Sequence, residues 1–158
     1  MTRASLDPQQ LSHFGPLGLR IALGSVFLAH AYAKAALFTF AGTEQYFMAH
    51  GFPGWTVYPV FAAGVAGGLA LLAGYRTRMV AVLMIPVMLG ALKPHLGNGW
   101  MFTNSGGGWE YVAFILMALV SQTLLGAGAF ALSERRSPAQ PSAAGVERLD
   151  GPRVQHAA

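Results

Sequence analysis

Four long apolar stretches constrain this chain more than any other feature. Backbone N–H and C=O groups that meet lipid must be satisfied within the segment that carries them, so an apolar run of span length is committed to helix. The stretches are Leu17–Phe40, Val57–Gly74, Met79–His95 and Tyr111–Leu132. A helix crossing a hydrocarbon core about 30 Å thick needs roughly 20 apolar residues, within a range of about 17–25. The first, second and fourth meet that length. The third is apolar only over Met79–Leu92, contains Pro86, and reaches span length by running on to His95. Proline is tolerated in such a helix because its neighbours re-satisfy the freed carbonyl. Only 10% of the residues are charged and 54% are hydrophobic, where a soluble domain carries about 25% charge. The expected fold is therefore all-α: an integral membrane four-helix bundle within residues 1–132. After it comes a disordered cytoplasmic tail at 133–158, where Pro, Ser, Ala and charge replace apolar periodicity. The first 12 residues are expected to be loose as well.

Basic residues orient the spans. Arg3 and Arg20 precede or open the first, Arg76 and Arg78 join the second to the third, and Arg135, Arg136, Arg148 and Arg153 follow the fourth. The loop at 41–56 has none, and the loop at 93–110 has only Lys93 at its margin. The positive-inside rule then puts both termini in the cytoplasm and these two loops outside, in a multi-pass membrane protein. Ala31-Tyr32-Ala33 after an apolar run imitates a signal-peptide cleavage site. Apolar character resumes through Phe40, however, so the stretch is read as a span.

The polar residues collect on the outer side. HAYAK, residues 30–34, sets His30 and Lys34 four apart and hence on one helix face, with Tyr32 between them. At 1.5 Å per residue Lys34 is about 25 Å along from Leu17, in the outer half of the membrane. His95 ends the third span; Trp100, Trp109 and Glu110 lie in the loop or at the start of the fourth. Each has an ordinary structural reading: Lys34 snorkels, His30 bonds a neighbouring helix, the tryptophans form an aromatic belt. Yet an ionisable side chain within a span is costly, about 2.5–3.5 kcal/mol on insertion scales, and generally faces the bundle interior with a partner. Glu110 is the expected counter-ion of Lys34, with Glu44 of the first outer loop as the alternative. His30, Tyr32, Lys34, His95, Trp100, Trp109 and Glu110 thus form the candidate ligand pocket or proton relay. Gly64, Gly67 and Gly68 in the second span suit close helix packing. Gly106-Gly107-Gly108 is no phosphate loop, since no Gly-Lys-Ser/Thr follows it; it suits a tight turn into the fourth span. TEQYFMAH in the first outer loop reads as a short amphipathic piece in the interface.

Other classes are excluded or disfavoured. With no cysteine there is no disulfide, thiol centre or cluster ligand in the chain, and no metal, flavin or haem site is expected. The net charge of +4 comes from residues scattered at span ends, not from a clustered basic face, so no nucleic-acid partner is expected. A channel would need polar residues along its whole length, and the inner half supplies only Ser121 and Gln122 near mid-depth.

In order and spacing, several motifs together resemble the DoxX family of small four-helix bacterial membrane proteins. They are Arg20…Phe27-Leu28-Ala29-His30…Lys34, Phe47…Gly51-Phe52-Pro53, Gly67-Gly68-Leu69…Gly74-Tyr75-Arg76-Thr77-Arg78, Pro86…Met88…His95…Asn98-Gly99-Trp100 and Gly106-Gly107-Gly108-Trp109-Glu110-Tyr111. The resemblance implies an inner-membrane bundle associated with quinone-linked or thiol-redox systems, and hence an accessory to a soluble redox enzyme or another membrane subunit, with quinone as the small molecule. Relatives often carry an acid in the second span shortly before the double glycine; Phe61-Ala62-Ala63-Gly64-Val65-Ala66 has none. A non-enzymatic scaffold that recruits a partner is the competing expectation, and a homo-oligomer is compatible with both.

Overall fold

The computed structural model describes residues 8–132; the expected tail at 133–158 lies outside them. Among the described residues the chain is wholly helical, with no strand. Helix α1 spans Pro8–Tyr32 and passes into a π-helical turn, Ala33–Leu37. Helix α2 is Thr39–Ala49, α3 Val57–Ala73, α4 Thr77–Leu92 and α5 Glu110–Leu125. Helix α1 packs on α3, α3 on α4, α4 on α5 and α5 back on α1, closing a ring of four. Leu23, Phe27, Leu71, Met84, Ile115 and Leu119 fill its centre.

Three helical stretches are long and apolar enough to cross a membrane: Ser12–Leu37, Gly54–Ala73 and Thr77–Asn98. The third expected span gains its length from a 3-10 extension, Lys93–Asn98, beyond α4. Two boundaries differ from expectation. Residues 8–12 belong to α1. The fourth span stops at Leu125, not Leu132, leaving α5 with 16 residues. Gly126 and Gly128 take φ of +86° and +68°, a left-handed geometry that glycine adopts without steric cost and that ends a helix. The chain beyond then folds across the bundle end, where Ala129 N–H donates to His13 O and Leu132 N–H to Ala73 O. Arg20 is buried beneath it (2% exposed) and donates to Ala129 O at 3.0 Å. Arg20, Arg76 and Arg78 thus belong to one end of the bundle, and the π turn, α2 and residues 93–110 to the other.

Helix α1 meets α3 through glycine. A Cβ on Gly24 would stand 2.9 Å from Gly68 O, and one on Gly68 3.0 Å from Gly24 O. Gly64 faces Phe27 and Ala31 of α1, whereas Gly67 faces Met84 of α4. This close approach brings backbone to backbone without any polar bond, the packing that small residues permit in lipid.

Candidate functional site

At the end opposite Arg20, the ring of helices encloses a cavity of about 910 Å³. Its walls are mostly apolar: Phe27 and Ala31 from α1, Val60 and Gly64 from α3, Met84, Pro86 and Met88 from α4, Val112 and Ile115 from α5. Helix α2 covers one side with Thr43, Tyr46, Phe47 and His50. The polar groups that reach it are His30, Lys34, His50, His95, Tyr46, Tyr111, Thr43 and Thr56. No carboxylate lines it.

Local chain geometry places these groups. The π turn, closed by Phe38 N–H donating to Ala33 O at 2.9 Å, widens the helix at Lys34, a distortion that recurs at functional sites. Thr39 then takes φ +60°, an outlier for a β-branched residue. Its carbonyl accepts the Thr43 hydroxyl at 2.9 Å and its hydroxyl accepts Gly42 N–H at 3.2 Å, which hold the turn. The chain is thereby redirected from α1 into α2, which lies over the cavity instead of extending away from it.

Each of the three histidines lining the cavity is fixed by a backbone carbonyl. The Nδ1 of His30 lies 2.9 Å from Val26 O, that of His50 2.7 Å from Tyr46 O, and that of His95 2.9 Å from Gly107 O. A carbonyl only accepts, so Nδ1 carries a proton in these three rings, and Nε2 is an acceptor whenever the ring is neutral. His30 also stacks on Tyr111 of α5 at 6.0 Å, and His50 lies against Tyr46 at 4.2 Å. Burial pushes the Tyr46 phenol above its ordinary value, so it remains a hydroxyl donor at neutral pH. Among the described residues no three His, Asp or Glu side chains converge closely enough to hold a metal ion; the imidazoles act as separate hydrogen-bonding groups.

Of the sequence-predicted pocket residues, His30, Lys34 and His95 line the cavity. Tyr32, Trp100, Trp109 and Glu110 do not. Tyr32 is 64% exposed on the outside of α1, because it follows His30 by only two positions and a helix turns about 200° over that interval. Trp100 and Trp109 meet edge to face at 4.4 Å within the loop. Glu110 forms no ion pair with Lys34 among the described residues. Its Oε1 accepts Phe102 N–H at 2.9 Å, satisfying one backbone donor of the loop it closes. Lys34 instead donates to His30 O at 3.4 Å, longer than the 2.7–3.2 Å of ordinary N–H···O bonds. A relay from His30 to Glu110 has no linking contact.

The glycine loop is a rigid cap. Gly106 and Gly107 have φ of +80° and +74°. The Asn98 amide donates to both of their carbonyls at 3.0 Å. A side chain on Gly108 would collide with the Trp100 and Met101 carbonyls. The loop thereby positions His95 from behind. His50, Tyr46 and Tyr111 were not singled out for the pocket from sequence. The Tyr46–His50 spacing of four, in a piece already read as amphipathic, was the available signal.

Relatives sharpen this picture. The DoxX family model matches residues 15–96. The chain is 32% identical over 90 residues to "Putative oxidoreductase CatD" of Bacillus subtilis (strain 168), covering 53% of this chain and 66% of that protein. It is 35% identical over 74 residues to "Inner membrane protein YqjF" of Escherichia coli (strain K12), covering 47% of this chain and 55% of that one. The chain thus spans just under two thirds and just over half of these relatives' lengths. No solved structure matches it. The family match takes in α1 from Gly15 onward, the π turn, α2, α3, α4 and His95, which is more than half of the chain and most of the cavity wall. This is a membrane protein of the DoxX family.

Proposed function

We propose that the protein is a multi-pass inner-membrane accessory of a redox system, whose outer-leaflet cavity receives the head group of a quinone. The reading rests on one observation: His30, Lys34, His50 and His95 reach a single, largely apolar cavity. A volume of about 910 Å³ falls in the range of about 300–1,000 Å³ usual for small-molecule sites, which pair apolar walls with a few placed polar groups. Arg20, Arg76 and Arg78 at the opposite end favour a cytoplasmic placement for that end and an outer placement for the cavity. One relative is named an oxidoreductase and another an inner membrane protein, which supports the two halves of the proposal.

The chemistry follows from the donor set. Lys34 and the Tyr46 hydroxyl donate to a quinone carbonyl. The Nε2 atoms of the histidines accept from a quinol hydroxyl and can take its proton. The chain has no cysteine, so electrons come from a partner, a soluble enzyme or another membrane subunit. The test is purification in mild detergent, solvent extraction for co-purified quinone, and titration with a short-chain ubiquinone followed by tryptophan fluorescence. Saturable binding that weakens in Lys34→Leu at unchanged expression supports the proposal. A sample that carries no quinone and binds none refutes it.

A scaffold is the second reading, favoured by the exposure of Trp100, Met101 and Phe102 on the ordered loop. Replacing Trp100 and Phe102 with Ser would then abolish partner recruitment while leaving quinone binding intact.

A further inference from the structure

The cavity is lined by the Lys34 ammonium and, among the described residues, by no carboxylate. The Lys34 ammonium has three donors, and the one bond it makes, to His30 O, is 3.4 Å long. Of the two carboxylates at this end of the described chain, Glu110 accepts Phe102 N–H and Glu44 lies against Gly54 in the first outer loop. Neither lines the cavity. The second ammonium, Lys93, lies 4.5 Å from the Phe52 ring centroid, exposed and outside the lining. A charge inside a span ordinarily has a partner facing it. Here the place of that partner is open cavity.

We propose that this cavity is a receptor for a single-chain carboxylate amphiphile of the fatty-acid class. Its head pairs with Lys34 and its chain lies along Phe27, Met84 and Ile115. Three features choose that class. A carboxylate supplies the charge-assisted acceptor that Lys34 lacks. The imidazoles of His30, His50 and His95 each direct Nδ1 to a backbone carbonyl, so that nitrogen is not offered to a second head-group charge. The lining offers one ammonium and no arginine, so a doubly charged phosphate monoester would keep one charge unmatched. The inference does not rest on the quinone reading: a quinone carbonyl accepts a hydrogen bond from Lys34 but brings no negative charge to it.

The test uses the full chain in nanodiscs of neutral phosphatidylcholine. Binding of cis-parinaric acid is compared with that of its methyl ester, which has the same chain and no charge. The expected result is an acid preference of about tenfold, the size of one charge-assisted hydrogen bond, lost in Lys34→Gln while ester affinity holds. Equal affinities for acid and ester in the unaltered protein overturn the proposal, whether or not Lys34→Gln folds. So does an acid preference that survives in Lys34→Gln. Hexadecyl phosphate binding more tightly than palmitate, dependent on Lys34, would overturn the carboxylate class. Short-chain ubiquinone is the separate arm. Acid preference with no quinone binding supports this site and refutes the redox reading; quinone binding without acid preference does the reverse.

Discussion

Gly24 and Gly18 lie on the same helix, and replacing each by alanine separates packing from propensity. Alanine in a helix interior is favoured over glycine by about 1 kcal/mol. That gain is common to both variants. A Cβ at Gly18 meets nothing within 4 Å, so Gly18→Ala keeps the whole gain. A Cβ at Gly24 would stand 2.8 Å from Leu72 Cγ and 2.9 Å from Gly68 O, where ordinary contact begins at 3.4 Å. The leucine can rotate, but the carbonyl belongs to the α3 backbone, so the two helices must part by about half an ångström. Overpacking of this kind costs about 1–3 kcal/mol. Because the propensity term cancels between the two variants, their difference in stability is the overpacking term itself. At about 2–4 °C per kcal/mol for chains of this size, Gly24→Ala should unfold roughly 2–12 °C below Gly18→Ala. The assay is thermal unfolding followed by circular dichroism in one detergent. Equal midpoints for the two variants would refute the close α1–α3 crossing, and with it the position of the cavity wall built from Phe27, Ala31 and Gly64.

Three other outcomes follow from the geometry. Arg20→Leu removes a buried, charged donor to Ala129 O and should cost about 1.5–3 kcal/mol; Arg20→Lys should rescue little, because an ammonium does not reproduce the guanidinium fork, and chemical unfolding of both variants checks this. Lys34→Ala and Glu110→Ala should be additive within about 0.5 kcal/mol in a double-mutant cycle, since the two groups do not pair; a larger coupling would restore the latch between them. Because burial raises the Tyr46 phenol, its stabilising contribution is complete below the unfolded value near 10 and is lost as pH climbs through the higher folded value. An ultraviolet difference titration against Tyr46→Phe should show that tyrosinate emerging only above pH 10.

Helical class was legible because lipid leaves a long apolar segment no other way to satisfy its backbone, and the runs from Leu17, Val57 and Met79 needed only to be counted. The end of α5 was not legible. Ala127 and Ala131 are as apolar as any span residue, and only the positive φ of Gly126 and Gly128 shows that the chain turns there to cover Arg20. In the site, spacing alone brought His30 and Lys34 to one face. Spacing also excludes Tyr32 from that face, an implication of helical geometry that proximity in sequence hides.

What sequence determined by itself is the set of segments that must be helical in lipid, their chemistry, and the gathering of ionisable side chains toward one end, since each follows from local periodicity and cost of burial. Which of those side chains meet was decided by tertiary structure. The π turn and Thr39 fold α2 over the cavity and bring in His50 and Tyr46, while the glycine loop pulls Glu110 to Phe102 N–H and away from Lys34. Pairing depends on directions set by turns between helices, and a one-dimensional pattern carries the order of charges along the chain but not the direction in which each one points.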